Sequence, residues 1–154
     1  GWDWLANISW FGTPSMATVT IIVVSIWQNI GFLMIIYTAG LQTIPKDVME
    51  SAELDGCSGL KKVLKIELPL LMPTATINLF VSISGAFKSF DIPNAMTGGG
   101  PYGSTMPVAM NIYQEAFTKY NLGYGSAKSV ILFLTVAAVT LIQLYCTRKK
   151  EVEY

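Results

Sequence analysis

The chain is predicted to be an all-α integral membrane protein. Charge is scarce, the uncharged residues gather into three long runs, and the basic residues around those runs are unequally shared. Charged residues make up 13% of the 154, against 52% hydrophobic, where a soluble domain carries about 25% charged. No charged side chain occurs over Met16–Leu41, Leu70–Phe87 or Ser129–Thr147. The hydrocarbon core of a bilayer is roughly 30 Å thick and a helix rises 1.5 Å per residue, so a span needs about 20 mostly apolar residues. Spans at about 16–41, 69–91 and 127–147 follow, separated by a polar loop over 42–68 and a second loop over 92–126. The competing arrangement, a soluble core, would require three uncharged helices inside one small domain.

Charge also orients the spans. Lys46, Lys61, Lys62 and Lys65 lie in the first loop, and Arg148, Lys149 and Lys150 follow the third run. The loop between the second and third runs holds only Lys119, with Lys88 and Lys128 at its edges. Basic loops stay in the cytoplasm. The 42–68 loop and the C-terminus therefore fall inside, and the loop around Gly100 falls outside. Net charge is zero, so nothing points to nucleic acid. There is no histidine and no metal-ligand spacing. Cys57 and Cys146 both fall on the cytoplasmic side, where a disulfide is disfavoured. Trp2, Trp4, Trp10 and Phe11 compose a membrane-interface anchor ahead of the first span. The first residue is Gly rather than Met, and the chain reads as the C-terminal part of a longer protein or a truncated piece of one.

Thr13-Pro14-Ser15 opens the first span, which carries Trp27, Gln28, Asn29 and Gly31 at mid-depth. Polar groups at that depth are costly unless they face other helices or water. Two roles are open for Gln28 and Asn29: glue between helices, or the lining of a solute path with Trp27 and Phe32. After Leu41-Gln42-Thr43-Ile44, Pro45 suits a helix start, because its missing N–H costs nothing there. Asp47 and Glu50 favour the positive end of a helix. Gly56 suits the left-handed residue that closes one. A short helix over Lys46–Asp55 is expected, with Val48, Met49, Ala52 and Leu54 on its apolar side. Ser58 is expected to cap a second short helix through Lys61 to Lys65. The unit is a compact knob, too polar for lipid.

Pro69 and Pro73 fall at the start of the second span, where proline is tolerated and a kink at Pro73 can form. Near its outer end come Ser82, Ser84, Gly85, Lys88, Ser89 and Asp91. Lys88 and Asp91, three apart, share a helical face and can pair; the favoured reading of Lys88 is that it snorkels to the outer interface. Thr97-Gly98-Gly99-Gly100-Pro101 is a loop. It is not a phosphate loop, because no Gly-Lys-Ser/Thr follows. Over Thr105–Lys119, Val108, Ala109, Ile112, Tyr113, Ala116 and Phe117 fall at helical spacing with Asn111, Gln114 and Glu115 opposite. This predicts an amphipathic helix at the outer interface or folded back into the bundle. Leu122-Gly123-Tyr124-Gly125-Ser126 turns into the third span, and Arg148–Tyr154 is a charged tail expected to fray.

One spacing in the first loop is specific. Glu50-Ser51-Ala52, three residues, Gly56, nine residues, then Ile66-x-Leu68-Pro69 resembles the EAA loop of permease subunits of binding-protein-dependent ABC importers, with Ser51 standing for the usual Ala. Trp27, Leu41-Gln42-Thr43-Ile44-Pro45 and Phe87-Lys88-Ser89-Phe90-Asp91 are similar to the carbohydrate-uptake, maltose-permease-like branch. So are Thr97-Gly98-Gly99-Gly100-Pro101, Tyr113-Gln114-Glu115-Ala116-Phe117 and Gly123-Tyr124-Gly125-Ser126-Ala127. The likeness covers nearly all of residues 14–150. It implies a type I ABC importer permease bundle, of which residues 1–154 are the C-terminal part, with three spans here and short cytoplasmic coupling helices. It implies a bacterial inner-membrane protein that pairs with a second permease subunit, sits on a cytoplasmic ABC ATPase dimer and receives a sugar from an extracytoplasmic solute-binding protein. ATP belongs to the partner ATPase, this chain holds no cofactor, and no residue in it is catalytic. The residues implied for ATPase coupling are Glu50, Ser51, Ala52, Asp55, Gly56, Ile66, Leu68 and Pro69. Those expected along a substrate path are Trp27, Gln28, Asn29, Phe32, Ser84, Lys88 and Ser89.

Two other readings compete. A secondary transporter fragment would also place polar residues at mid-membrane, but it more often carries intramembrane acids for ion coupling, and the three span interiors have none. A non-transporting membrane scaffold would explain the spans and not the spacing of the loop.

Overall fold

The computed structural model describes residues 9–148, and the described residues are helical with no strand. Helix α1 spans Pro14–Gln42, α2 Lys46–Leu54, α3 Leu60–Leu70, α4 Met72–Phe87, α5 Asp91–Thr97, α6 Val108–Tyr113 and α7 Leu122–Arg148. Helix α3 contains a π-helical turn over Val63–Glu67, and α6 continues as another over Gln114–Thr118. Trp2 and Trp4 of the expected anchor, and the expected frayed tail beyond Arg148, lie outside the described residues.

Helices α1 and α7, of 29 and 27 residues, are long and apolar enough to cross a membrane. At 1.5 Å per residue they measure about 43 and 40 Å, more than the roughly 30 Å hydrocarbon core. Their large apolar side chains point outward on every side: Ile22, Val23, Ile26 and Ile35 on α1, and Ile131, Phe133, Leu141 and Ile142 on α7, are all more than half exposed. The buried apolar set among the described residues is correspondingly small: Ala17, Ile44, Ala52, Cys57, Met110 and Ala116. Such surfaces are stable only against lipid or other helices.

The second predicted span is divided. Its outer part ends at Phe87, four residues short of the expected Asp91. At 16 residues, α4 is about 24 Å long. It joins α3 through Leu71 at a bend of 66°. Pro69 and Pro73 bracket that bend, each removing a backbone donor and crowding the carbonyl four residues back. Taken as one bent span, α3 and α4 make the third membrane crossing by length and composition; counted singly, the described residues hold two.

The described chain forms two compact units. One contains residues 9–29 and 85–136: the first half of α1, the end of α4, α5, α6 and the first half of α7. The other contains 30–84 and 137–148: the rest of α1, α2, α3, most of α4 and the end of α7. In the second unit, a Cβ on buried Gly40 of α1 would collide with the Thr74 side chain of α4, so glycine lets the two helices approach. Nearby, the Asn78 amide of α4 donates to the Leu33 carbonyl of α1 at 3.4 Å, and the Gln143 amide of α7 donates to the Thr76 carbonyl of α4 at 3.4 Å. Small residues and interhelical amides replace the hydrophobic drive that lipid cannot supply.

Candidate functional site

The polar knob lies in the second unit and is built by local rules. Thr43 closes α1, donating its N–H and its hydroxyl to the Gly40 carbonyl at 3.1 and 2.7 Å. Pro45, at φ −60° and ψ 136°, is the N-cap of α2 rather than its first residue, and Asp47 lies in the first turn. The helix ends at Leu54 in a six-to-one pair of bonds: Cys57 N–H donates to Ala52 O at 2.9 Å, and Gly56 N–H to Glu53 O at 3.0 Å. This is the Schellman closure, which requires a left-handed residue at the position Gly56 holds, and its φ is 72°. A Cβ at Gly56 would meet nothing within 4 Å in this chain, so the backbone angle alone calls for glycine here. Ala52 and Cys57 are buried and hold the turn together.

Ser58 does not cap the next helix. The N-cap is Gly59, at φ 58° and ψ −138°, and no side chain bonds there. A serine cap needs an extended backbone at the capping residue, and Gly59 instead turns the chain in a conformation open only to glycine. Lys62 and Glu53 then join α3 to α2 through an ion pair of 2.7 Å. The hydrogen bond from Lys62, with its charge, holds the Glu53 carboxyl below the ordinary carboxylate range.

The residues implied for coupling divide between these pieces. Glu50, Ser51, Asp55 and Gly56 are exposed on the knob, Ala52 is buried under it, and the Ser51 hydroxyl donates to Asp47 O at 2.7 Å. Ile66 and Pro69 are half-buried and Leu68 is exposed on α3, ahead of the bend. Leu54 does not join the apolar side of α2 as expected. It is 89% exposed, and Leu60 is 80% exposed. Leu54 and Leu60, with Leu64 and Leu68 also exposed along α3, are apolar surface a partner can bury, and the apolar periodicity of so short a helix concealed Leu54.

The substrate-path candidates are divided between the two units. Trp27, Gln28, Asn29, Lys88 and Ser89 belong to the first unit, and Phe32 and Ser84 to the second. Trp27, Gln28 and Asn29 are exposed, and the Asn29 amide bonds back to Ser25 O on its own helix at 2.8 Å. The interhelical amides are Asn78 and Gln143, neither singled out from sequence. A lone amide inside an uncharged helix was the available signal. The amide oxygens of both, Asn78 Oδ1 and Gln143 Oε1, are buried without a partner. An open groove of about 420 Å³ in the second unit, walled by Pro73, Thr76, Ile77, Phe80, Leu144 and Arg148, includes none of the path candidates.

Lys88 and Asp91 do not pair. The helix stops at Phe87, Lys88 and Ser89 turn back on Gly85 and Ala86, and Phe90 at φ −142° separates Asp91, which opens α5. The outer loop that follows is tightly stapled. Gly98, at φ 60°, closes α5. The buried Thr105 donates its hydroxyl to Gly100 O at 2.6 Å and lies 2.7 Å from the Thr97 hydroxyl. A Cβ on Gly99 would stand 2.9 Å from Met106 Cε.

Helix α6 presents a different face from the one expected. Val108, Tyr113 and Phe117 are exposed, while Met110, Glu115 and Ala116 are buried. Burial of Glu115 is offset by two cations: Lys119 Nζ at 2.9 Å and Lys128 Nζ of α7 at 3.6 Å. Lys128 also donates to Asn111 Oδ1 at 2.7 Å and lies 4.3 Å from the centre of the Tyr124 ring. The hydrogen bond from Lys119 outweighs desolvation and holds the Glu115 carboxyl below its ordinary range. Gly125 lets α7 approach this turn, since a Cβ there would stand 2.8 Å from Ala116 Cβ.

Comparison with known proteins fits this architecture. The chain is 40% identical over 145 residues to the sulfoquinovosyl glycerol transport system permease protein SmoG of Agrobacterium fabrum, covering 94% of this chain and 47% of that protein. It is 37% identical over 143 residues to the trehalose/maltose transport system permease protein MalF of Thermococcus litoralis, covering 91% and 47%. It is 37% identical over 150 residues to the sn-glycerol-3-phosphate transport system permease protein UgpA of Brucella abortus, covering 97% and 49%. The chain thus spans about half the length of these relatives. Residues 3–152 match the family described as the binding-protein-dependent transport system inner membrane component, and the chain belongs to that family.

Proposed function

We propose that this chain is the C-terminal part of a permease subunit in an ATP-driven, binding-protein-dependent sugar importer, and that it moves solute by alternating access. The observation that carries the reading is the knob between α1 and α4. It supports itself through the Gly56 closure and the Glu53–Lys62 pair, and it leaves Glu50, Asp55, Leu54 and Leu60 free for a partner. In an importer of this family that partner is a cytoplasmic ABC ATPase dimer, which binds the ATP; this chain holds no cofactor and makes or breaks no covalent bond. When the ATPase dimer closes, the knob transmits its motion to α1 and to the bent α3–α4 segment, which crosses the bilayer as one span between α1 and α7. The basic residues of the knob and of the C-terminal end favour a cytoplasmic side for both. The complete assembly includes a second permease subunit and an extracytoplasmic solute-binding protein in the bacterial inner membrane.

A sugar is the solute class favoured by the relatives' named solutes, which are sugars and glycerol derivatives. Trp27, Gln28, Asn29 and Phe32 of α1, with Ser84, Lys88 and Ser89, supply the aromatic and hydrogen-bonding groups a hydroxylated solute requires. Cross-linking tests the coupling assignment. With Glu50→Cys in the complete transporter, a disulfide to a cysteine on the ATPase subunit is expected, with its yield changing on ATP binding. No cross-link to any ATPase position, with the complex intact, would contradict it. Asn29→Leu and Ser89→Leu are expected to alter uptake while assembly is kept. Unchanged uptake kinetics in both would remove them from the path.

A further inference from the structure

Among the described residues the backbone takes a left-handed φ at five glycines and at two residues that carry a side chain. Both exceptions are tyrosines, Tyr102 at φ 54° and Tyr120 at φ 56°. In this conformation Cβ crowds the following carbonyl, a strain glycine escapes. Tyrosine is bulky and an outlier there. Neither ring is compensated inside the chain: Tyr102 is 99% exposed and Tyr120 86%. The ring contacts of this unit are made by Phe90, Tyr113, Phe117 and Tyr124 instead. A strained residue that holds its side chain almost wholly exposed leaves that side chain free for something outside the chain.

The place of Tyr120 says what that is. It closes the π-helical turn of α6, where Lys119 N–H donates to Gln114 O and Asn121 N–H to Glu115 O, each at 2.9 Å. Helix α7 begins two residues later and is of bilayer-crossing length, with Ile131, Phe133 and Leu134 exposed along it. Tyr120 therefore lies about 10 Å ahead of the predicted span at 127–147, at the depth of the headgroups rather than of the hydrocarbon. A tyrosine ring with an apolar body and a hydroxyl tip is enriched at that level. Lys119 beside it has a side chain 57% exposed, with its ammonium paired to Glu115. Trp10 and Phe11 are exposed just ahead of α1 in the same way. Tyr102 lies in the glycine loop, away from any spanning helix, and has no part in this.

We propose that Tyr120 is a lipid anchor: the left-handed turn aims its ring at the phospholipid headgroups and so fixes the depth at which α7 enters the bilayer. The inference rests on α7 being a span, and the test separates the two. In the complete transporter in native membranes, p-benzoylphenylalanine is placed singly at positions 120, 131 and 54 and irradiated. Phospholipid adducts are expected at 120 and 131, several-fold above position 54 on the polar knob. Adducts at 131 with none above background at 120, or a dominant link from 120 to another protein segment, would overturn the anchor and leave the span intact. Links from 131 to soluble components, with none to lipid or to another membrane helix, would overturn the span itself. Tyr120→Gly, which relaxes the turn, is expected to melt in detergent no lower than the parent. A clear drop would show that the ring packs against protein and would also overturn the proposal.

Discussion

Gly56 and Gly40 both lie in the second unit, and opposite physics makes each necessary. At Gly56 space is free and the angle is not. A left-handed backbone costs an ordinary residue roughly 1–2 kcal/mol, and Asn or Asp less. Gly56→Asn should therefore leave membrane insertion and melting nearly unchanged, while Gly56→Val should lower the melting temperature of the complete permease. Equal melting for the two would show that the left-handed angle is not what demands glycine. At Gly40 the angle is ordinary and the space is not, since a Cβ would strike the Thr74 side chain. Gly40→Ala should cost about 1–3 kcal/mol, the usual range for overpacking. Thr74→Ala should restore part of it, because the hydroxyl and methyl leave while Thr74 Cβ remains within 2.9 Å. A double variant no more stable than Gly40→Ala would dissociate the two sites.

At the scale of elements, the features legible in the sequence were those decided locally. The end of α2 at Gly56 was legible, because a Schellman closure depends on one left-handed residue and the bonds next to it. The face of α6 was not. Its π-helical turn inserts a residue into the 3.6-residue repeat and rotates the residues beyond it by about 100°. At this turn Glu115 and Ala116 are buried and Phe117 is exposed. No periodicity count anticipates that, and burial of the acid depends on Lys128, thirteen residues away in sequence and on another helix. Lys88 and Asp91 failed to pair for a similar reason: a helical spacing has no meaning across the break at Phe90. The Glu115 cluster makes a prediction with a definite sign. Its carboxyl is held below the ordinary value when folded, so pairing stabilises the outer unit above the ordinary carboxylate pKa. That stabilisation is lost as pH falls through the depressed folded value. Melting of the complete permease should drop across this acidic window in the parent and less in Glu115→Gln. The same slope in both would exclude Glu115 as the group responsible.

For the whole molecule, orientation is the first quantity to measure. Seven basic residues, Lys46, Lys61, Lys62, Lys65, Arg148, Lys149 and Lys150, predict that the knob and the C-terminal end are cytoplasmic. Cys57 is a poor reporter of this, since it is buried. Leu60→Cys, with Cys57→Ser and Cys146→Ser, presents an exposed thiol on the same knob. An impermeant maleimide should label it only after the cells are permeabilised. Labelling in sealed cells would invert the topology. Both the path and the anchor at Tyr120 assume that the knob is inside.

The central claim is that an ATPase drives this chain through the knob, and a single substitution addresses it. Gly56→Asp in the complete transporter changes no span, and asparagine-like residues tolerate the left-handed angle, so insertion and pairing with the second permease should survive. An added carboxylate at the docking surface should weaken ATPase binding. Uptake and solute-stimulated ATP hydrolysis, measured together in proteoliposomes, are predicted to fall in parallel while the amount of inserted permease stays level. Normal uptake with normal stimulated hydrolysis in Gly56→Asp would contradict the account.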